Sequence, residues 1–286
     1  MPRLLAVGHV TWDRVQGRQV LGGSVTYATL AARALGWEAA AVTAAGPDFD
    51  PARDLPGVTA FVAPSDATTR FVNSYGADGM RSQTLSSRAA DVVVSDLPEQ
   101  WRRPEVLLVG PVAGEVQGSA ALSFEAEVVG ANAQGWLRAF GPGGEVRPRA
   151  WERPEESLAG VHALFLSEHD LPDALRRSRE LLTFVPMIAV TRGWRGLSLL
   201  TRDGIEEVAA LPRQEVDPTG AGDVFATAFL IRYQETGNPQ EAAVFAACAA
   251  SCVVEGLAAS TLGDRDEVVR RIAQRERLIE DGEWEE

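Results

Sequence analysis

Apolar residues recur along this chain at two spacings. Residues 3–8 (RLLAVG) and 38–46 (EAAAVTAAG) are short, nearly unbroken apolar runs that end in glycine, the pattern of strands buried on both faces. Between them, residues 24–36 (SVTYATLAARALG) carry apolar side chains at helical spacing, with Ser24 placed as an N-cap and Gly36 as a terminator. This strand–helix–strand opening predicts a parallel sheet with helices packed outside it. The rhythm resumes with strands expected at 105–110, 126–131, 161–166 and 187–191, and a late hairpin at 196–201 and 206–211. From residue 220 onward the pattern is helical, and EDGEWEE at 280–286 reads as a solvated end.

Two segments interrupt the alternation. Residues 10–22 and 68–85 mix β-branched and aromatic residues around turn signals such as ADG at 77–79. They read as hairpins that pair into a small flap over one end of the main sheet. The expectation is one α/β domain over 1–286, with a central mostly parallel sheet flanked by helices and lid hairpins inserted at about 10–22 and 60–85. GPGGEV at 141–146 reads as a turn rather than a phosphate loop.

Composition narrows the function. The 286 residues carry 27 basic and 40 acidic side chains, a net charge of −13, and every basic residue is arginine. Such a field disfavours nucleic acid and anionic membranes as partners. It also means that no lysine can hold a phosphate. Cys248 and Cys252 lie four residues apart in an Ala-rich helical stretch and read as buried small residues, not as a zinc site or a disulfide. His9, His162 and His169 lack metal-ligand spacing and read as structural. No stretch approaches 18 apolar residues and MPRLLAVGHV lacks a signal pattern, so a reducing cytoplasm is expected. A P-loop is absent, and no Gly-x-Gly-x-x-Gly follows the first strand.

The densest chemistry lies in EVDPTGAGDVFATAFL at 215–230. Gly220, Ala221 and Gly222 leave the backbone bare where an apolar helix begins, and Asp223 follows. The first N–H groups of a helix lack internal partners and carry partial positive charge, so such a turn can hold an anion without lysine. Asp223, expected to be kept anionic by the helix N-terminus, is placed to take a proton from an alcohol attacking phosphorus. A well-placed oxyanion donor contributes roughly 3–4 kcal/mol to a transition state. A positioned general base contributes about 10²–10⁴-fold.

DPTGAGD at 217–223 resembles the C-terminal signature of the ribokinase-like, or PfkB, carbohydrate kinases. The likeness extends through GHVTWD at 8–13, GGSVTYATLAARALG at 22–36 and TRGWRG at 191–196. It implies an ATP-dependent, Mg2+-requiring kinase of a small polyhydroxy substrate. Asp223 would be the base, and the amides of Gly220, Ala221 and Gly222 the anion hole. Asp13, Gly22 and Gly23 would bind substrate, and Thr191, Gly193, Gly196 and Thr219 would bind nucleotide. The family's Asn-x-x-Glu element falls on SEHD at 167–170, where Asp170 would act on the metal through water or else cap a helix. Tyr27 replaces the Asn that usually follows the Gly-Gly pair.

GPVAGEV at 110–116, ANAQGWLR at 131–138 and TTRFVNSYGADGMR at 68–81 together resemble a branch that includes inositol kinases. On that likeness Gln134 and Arg138 would contact an inositol-like cyclitol, or else serve a structural strand-to-loop junction; Asn132 stands where the branch often has Asp. Trp12 would stack on a sugar or pack the lid, and Arg192 or Arg195 would reach phosphates or lie in solvent. Two other outcomes stay open: a nucleoside or vitamin kinase on the same fold, and a ligand-binding relative with a decayed site. Homodimerisation through the lid is a further expectation of the family.

Overall fold

Leu4 and Ala6 face one side of the central sheet and Leu5 and Val7 the other, and all four are buried. A strand covered on both faces has no polar face to show, which is why residues 3–8 read as an almost continuous apolar run. The computed structural model describes residues 1–15, 17–75, 81–94 and 97–281. In chain order its strands are β1 (Arg3–Val7), β2 (Thr11–Val15), β3 (Arg18–Gly22), β4 (Glu38–Ala45), β5 (Thr59–Pro64), β6 (Thr69–Tyr75), β7 (Arg81–Ser87), β8 (Val106–Val109), β9 (Val128–Asn132), β10 (Arg138–Phe140), β11 (Val146–Pro148), β12 (Ala163–Ser167), β13 (Met187–Thr191), β14 (Leu197–Thr201) and β15 (Gly204–Val208). The helices are α1 (Ser24–Ala34), the single turns α2 (Pro51–Asp54), α3 (Glu99–Arg102) and α4 (Pro154–Ser157), then α5 (Ala174–Leu181), α6 (Ala221–Thr236), α7 (Pro239–Val253) and α8 (Arg265–Glu280).

Nine strands form the main sheet in the order β15-β14-β13-β12-β9-β8-β1-β4-β5. Pairing is parallel from β13 through β5, and antiparallel only where β14 and β15 add the late hairpin. One core joins the sheet to α1, α6 and α7; the other lies on the opposite face with α5. Helix α6 is buried continuously from Val224 to Ile231. It presses on β9 at Gly130, where an added Cβ would come within 2.5 Å of Leu230. Phe165 of β12 meets Phe229 edge-on at 5.4 Å between centroids, a geometry aromatic pairs favour. Both cysteines of α7 are buried and free, and burial pushes the Cys248 thiol up to about 12 and Cys252 up to about 11.

The two inserted segments do pair. They form a separate four-stranded sheet, β3-β2-β6-β7, in which β2 and β6 run parallel. Two details differ from expectation, and a third agrees with it. Residues Thr59–Pro64 are the edge strand of the main sheet, paired with β4, so the second insertion begins at Thr69 rather than near 60. Ser24 is the first helical residue and Gly23, at φ 88°, is the N-cap, because the chain enters α1 from a backbone turn only glycine adopts readily. The segment around 141–146 is the turn of a short hairpin, β10-β11, whose Gly144 carbonyl accepts from the Leu85 N–H of the lid at 2.8 Å. The ADG turn and most of the terminal EDGEWEE lie outside the described residues.

Candidate active site

A cleft of about 550 Å³ opens over the C-terminal ends of the sheet strands. This is where open α/β sheets bind ligands, because the strand ends and the helix N-termini converge there. Its floor comes from Asn132 at the end of β9, Ser167 after β12, and the first residues of α1 and α6; Phe71 and Gln83 of the lid form its roof.

The turn before α6 is held from behind. Asp217 accepts from Thr219 N–H at 3.0 Å and from Ala258 N–H at 3.1 Å, tying the turn to the segment after α7. Gly220 sits at φ 82°, and a Cβ there would lie 2.3 Å from the Tyr27 ring, so the loop rests on a buried tyrosine. Among the described residues the N–H groups of Gly220, Gly222 and Asp223 carry no hydrogen bond, whereas Ala221 N–H donates to Pro218 at 3.2 Å. The open donors therefore differ from the expected set, with Asp223's own amide in place of Ala221's. An added Cβ on Gly222 would meet nothing within 4 Å, which leaves space for a ligand against the backbone.

Asp223 lies at the cleft floor. Its Oδ1 accepts from Asn132 Nδ2 at 2.7 Å, and Ser24 also donates to the carboxylate. The side chain has a partial opening to the cleft, but protein surrounds the carboxyl and solvates it poorly. Desolvation dominates and lifts the pKa to about 6, with Asp13 adding to the rise while the Ser24 and Asn132 hydrogen bonds and the Arg138 charge oppose it. The helix N-terminus was expected to favour the anionic form, but burial moves the pKa the other way. A carboxyl titrating near neutrality suits proton transfer better than an ordinary aspartate does.

Asp13 projects from β2 into the same cleft and accepts from the Thr11 hydroxyl at 2.9 Å. Gly23, Gln134, Arg138, Thr191, Gly193, Thr219 and Asp170 also line it. Gly22 and Gly196 are not among the residues that line it. A Cβ on Gly22 would lie 2.5 Å from Asp13 Oδ2, and one on Gly196, at φ 89°, would lie 2.0 Å from the Val208 carbonyl. Trp12 is likewise not among the lining residues. Arg138 stacks over Phe71 at 5.7 Å, donates to the Val112 carbonyl at 3.3 Å, and favours the ionised forms of both Asp170 and Asp223.

Asp170 closes the turn after β12: its Oδ2 accepts from Ser167 N–H at 2.7 Å, and its own N–H donates back to the Ser167 carbonyl. It caps no helix, since α5 starts at Ala174 after Asp173. Burial raises its pKa against the opposing pull of that hydrogen bond and of Arg138. At the mouth, Arg195 is paired with Glu168 and Arg192 with Glu207, so neither guanidinium stands alone. His9 bridges the Thr69 hydroxyl and the Ala90 carbonyl, both at 2.8 Å, and His162 accepts from Val129 N–H. Those two histidines are structural; His169 is exposed at the cleft edge.

Sequence reasoning missed Ser24 and Asn132 as partners of Asp223 and Asp217 as the anchor of the turn. Only Asp217 left a signal, as the first acid of DPTGAGD.

Residues 146–264 match the model of the pfkB family carbohydrate kinases. Those residues thus resemble this ribokinase-like family. A nucleoside kinase of Methanocaldococcus jannaschii is 30% identical to this chain over 146 residues, 48% of the chain and 47% of that protein. The chain thus spans about half the length of the curated relatives it matches. Among solved structures, a sulfate complex of a pyrophosphate-dependent kinase in the ribokinase family superposes with a TM-score of 0.77 at 24% identity, covering 94% of this chain and 99% of that one. A pyrophosphate-dependent kinase complexed with a pyrophosphate analogue and myo-inositol gives 0.75 at 23%, with coverage of 94% and 99%. At these identities the likeness establishes the fold.

Proposed function

We propose that this chain is a pfkB-family kinase that transfers the γ-phosphoryl group of ATP to a hydroxyl of a sugar or polyol, with an inositol-like cyclitol as the favoured acceptor. One observation carries the reading: a carboxyl titrating near 6 lies beside open backbone amides at the floor of a cleft. In this reading Asp223 takes the proton of the accepting hydroxyl as its oxygen bonds to phosphorus and the bond from phosphorus to the bridging oxygen of ADP breaks. The amides of Gly220, Gly222 and Asp223 hold the transferring group's oxygens, and Arg138 adds the cleft's nearest positive charge. Asp13 and Gly23 orient the acceptor, with Gln134 beside them. Thr191, Gly193 and Thr219 border the donor, and the lid limits water.

The residues fit a hydrated Mg2+. Among the described residues no three His, Cys, Asp or Glu side chains cluster as a cage, but Asp170 lines the cleft and its Oδ1 takes no hydrogen bond from another described residue. Mg2+ is commonly held by one or two carboxylates, waters and phosphates; when bound it would neutralise phosphate charge.

A nucleoside acceptor is the second reading, favoured by the identity to the archaeal nucleoside kinases. The test is a panel of inositols, hexoses, ketoses, pentoses, nucleosides and pyridoxal, each given MgATP or pyrophosphate, with mass detection of phosphorylated product. A phosphorylated cyclitol or sugar supports the first reading and a nucleotide product the second. Ligand binding without product on any member would leave the decayed-site alternative standing in place of both.

A further inference from the structure

The amide partner of the Asp223 carboxylate has a second end that the reaction, as described so far, leaves unused. Asn132 is 7% exposed and sits at the last position of β9, under the cleft. Its Nδ2 donates to Asp223 Oδ1 at 2.7 Å. That contact fixes the amide orientation, because the reverse would set a carbonyl oxygen against a carboxylate. Asn132 Oδ1 is then a buried acceptor, and it has no hydrogen-bond partner among the described residues. A buried acceptor left without a donor is costly and uncommon.

The surroundings indicate what would satisfy it. Asp13 and Asp223 border the same part of the cleft, so this end is rich in acceptors. A ligand that fits must bring donors and little negative charge. If Asp223 takes the proton of one hydroxyl, a donor within reach of Asn132 Oδ1 lies next to that hydroxyl, because Asn132 and Asp223 are themselves in contact.

We propose that Asn132 is an acceptor-binding residue that grips the hydroxyl adjacent to the one phosphorylated, so that the acceptor is a vicinal diol. Its amide nitrogen holds one carboxylate oxygen of Asp223 and its carbonyl oxygen holds the neighbouring hydroxyl, fixing the base and the nucleophile relative to one another. The inference rests on the kinase reading and narrows it.

The test compares kcat/KM for myo-inositol with that for its single-deoxy analogues, in the wild type, Asn132→Ala and Asn132→Asp. In the wild type, removing the hydroxyl adjacent to the phosphorylated one lowers kcat/KM by about 10-fold or more, as expected when a buried acceptor is left unpaired. In Asn132→Ala the same deletion has less than about a twofold effect, because the partner is gone; a neutral hydrogen bond accounts for the difference. Asn132→Asp keeps an acceptor, so it retains the deoxy penalty, but the added carboxyl moves the acid limb of the pH–rate profile upward. A merely structural role would leave the deoxy penalty unchanged in Asn132→Ala, and that outcome overturns the inference while the kinase reading stands. Absence of product from every compound in the wild type, with MgATP or pyrophosphate, overturns both.

Discussion

Replacing Asp223 by Asn separates catalysis from stability in one variant. The carboxyl's pKa rises from 3.8 to about 6 on folding, which corresponds to about 3 kcal/mol disfavouring the ionised form. Below pH 3.8 the group is protonated in folded and unfolded chains alike. Between 3.8 and about 6 the folded chain holds the proton and the unfolded chain does not, so stability is lost as pH rises through that window. Above about 6 the whole cost is present. Asn keeps a carbonyl for the Asn132 amide and removes the buried charge. Asp223→Asn therefore melts higher than the wild type at pH 8, by at least about 2 °C, and the gain shrinks toward zero at pH 4. Turnover moves the other way: loss of a positioned base lowers kcat by at least about 100-fold, or about 2.7 kcal/mol of barrier. Differential scanning fluorimetry from pH 4 to 8 and mass-detected product formation read the two effects. Near-normal turnover in a folded Asp223→Asn protein refutes the base assignment. A lower melting temperature at pH 8 refutes the claim that burial penalises the carboxylate.

The acid limb of the kcat/KM profile falls near pH 6, and Arg138→Met moves it upward, because the guanidinium favours ionised Asp223; an unmoved or lowered limb contradicts that coupling. Gly220→Ala places a methyl 2.3 Å from the Tyr27 ring at φ 82° and destabilises by about 1–3 kcal/mol, read as a lower melting temperature. Gly222→Ala meets open space, so it folds with unchanged or slightly raised stability yet loses at least about 10-fold in kcat/KM, as a methyl enters the anion site. Glu115 is fully buried and accepts from the N–H groups of His9, Val112 and Ala113 where the lid joins the core. Glu115→Ala orphans those donors and costs about 3 kcal/mol or more, read by chemical denaturation.

The strand–helix alternation was legible because strands buried on both faces leave apolar runs and helices leave a 3.6-residue period. The edge strand β5 was not: TAFVAP carries intermediate burial and ends in proline, so it looks like the polar-mixed lid segment that follows it. The 217–223 turn was legible because small residues before a helix leave few alternatives. What the sequence did not carry was long-range pairing. Ser24 looked like a cap, but its hydroxyl is spent on a carboxylate 199 positions along the chain. Asn132 looked like a strand end, and no local pattern reports that β9 delivers it to the first turn of α6. The direction of the Asp223 shift was misjudged for the same reason. The helix terminus is visible in sequence, whereas the desolvating walls of the cleft come from α1, β9 and the lid.

The central claim is that main-chain amides beside Asp223 hold the phosphoryl group in transit. The most direct measurement is residue-resolved amide NMR of protein labelled at Gly and Asp, titrated with a non-hydrolysable MgATP analogue and, separately, with pyrophosphate. The account predicts that the Gly220, Gly222 and Asp223 N–H resonances move downfield together on saturation with at least one of the two donors, while Ala221 and its bond to Pro218 define the edge of the site. Saturation by a donor that leaves those three resonances in place, with shifts confined elsewhere, would contradict it.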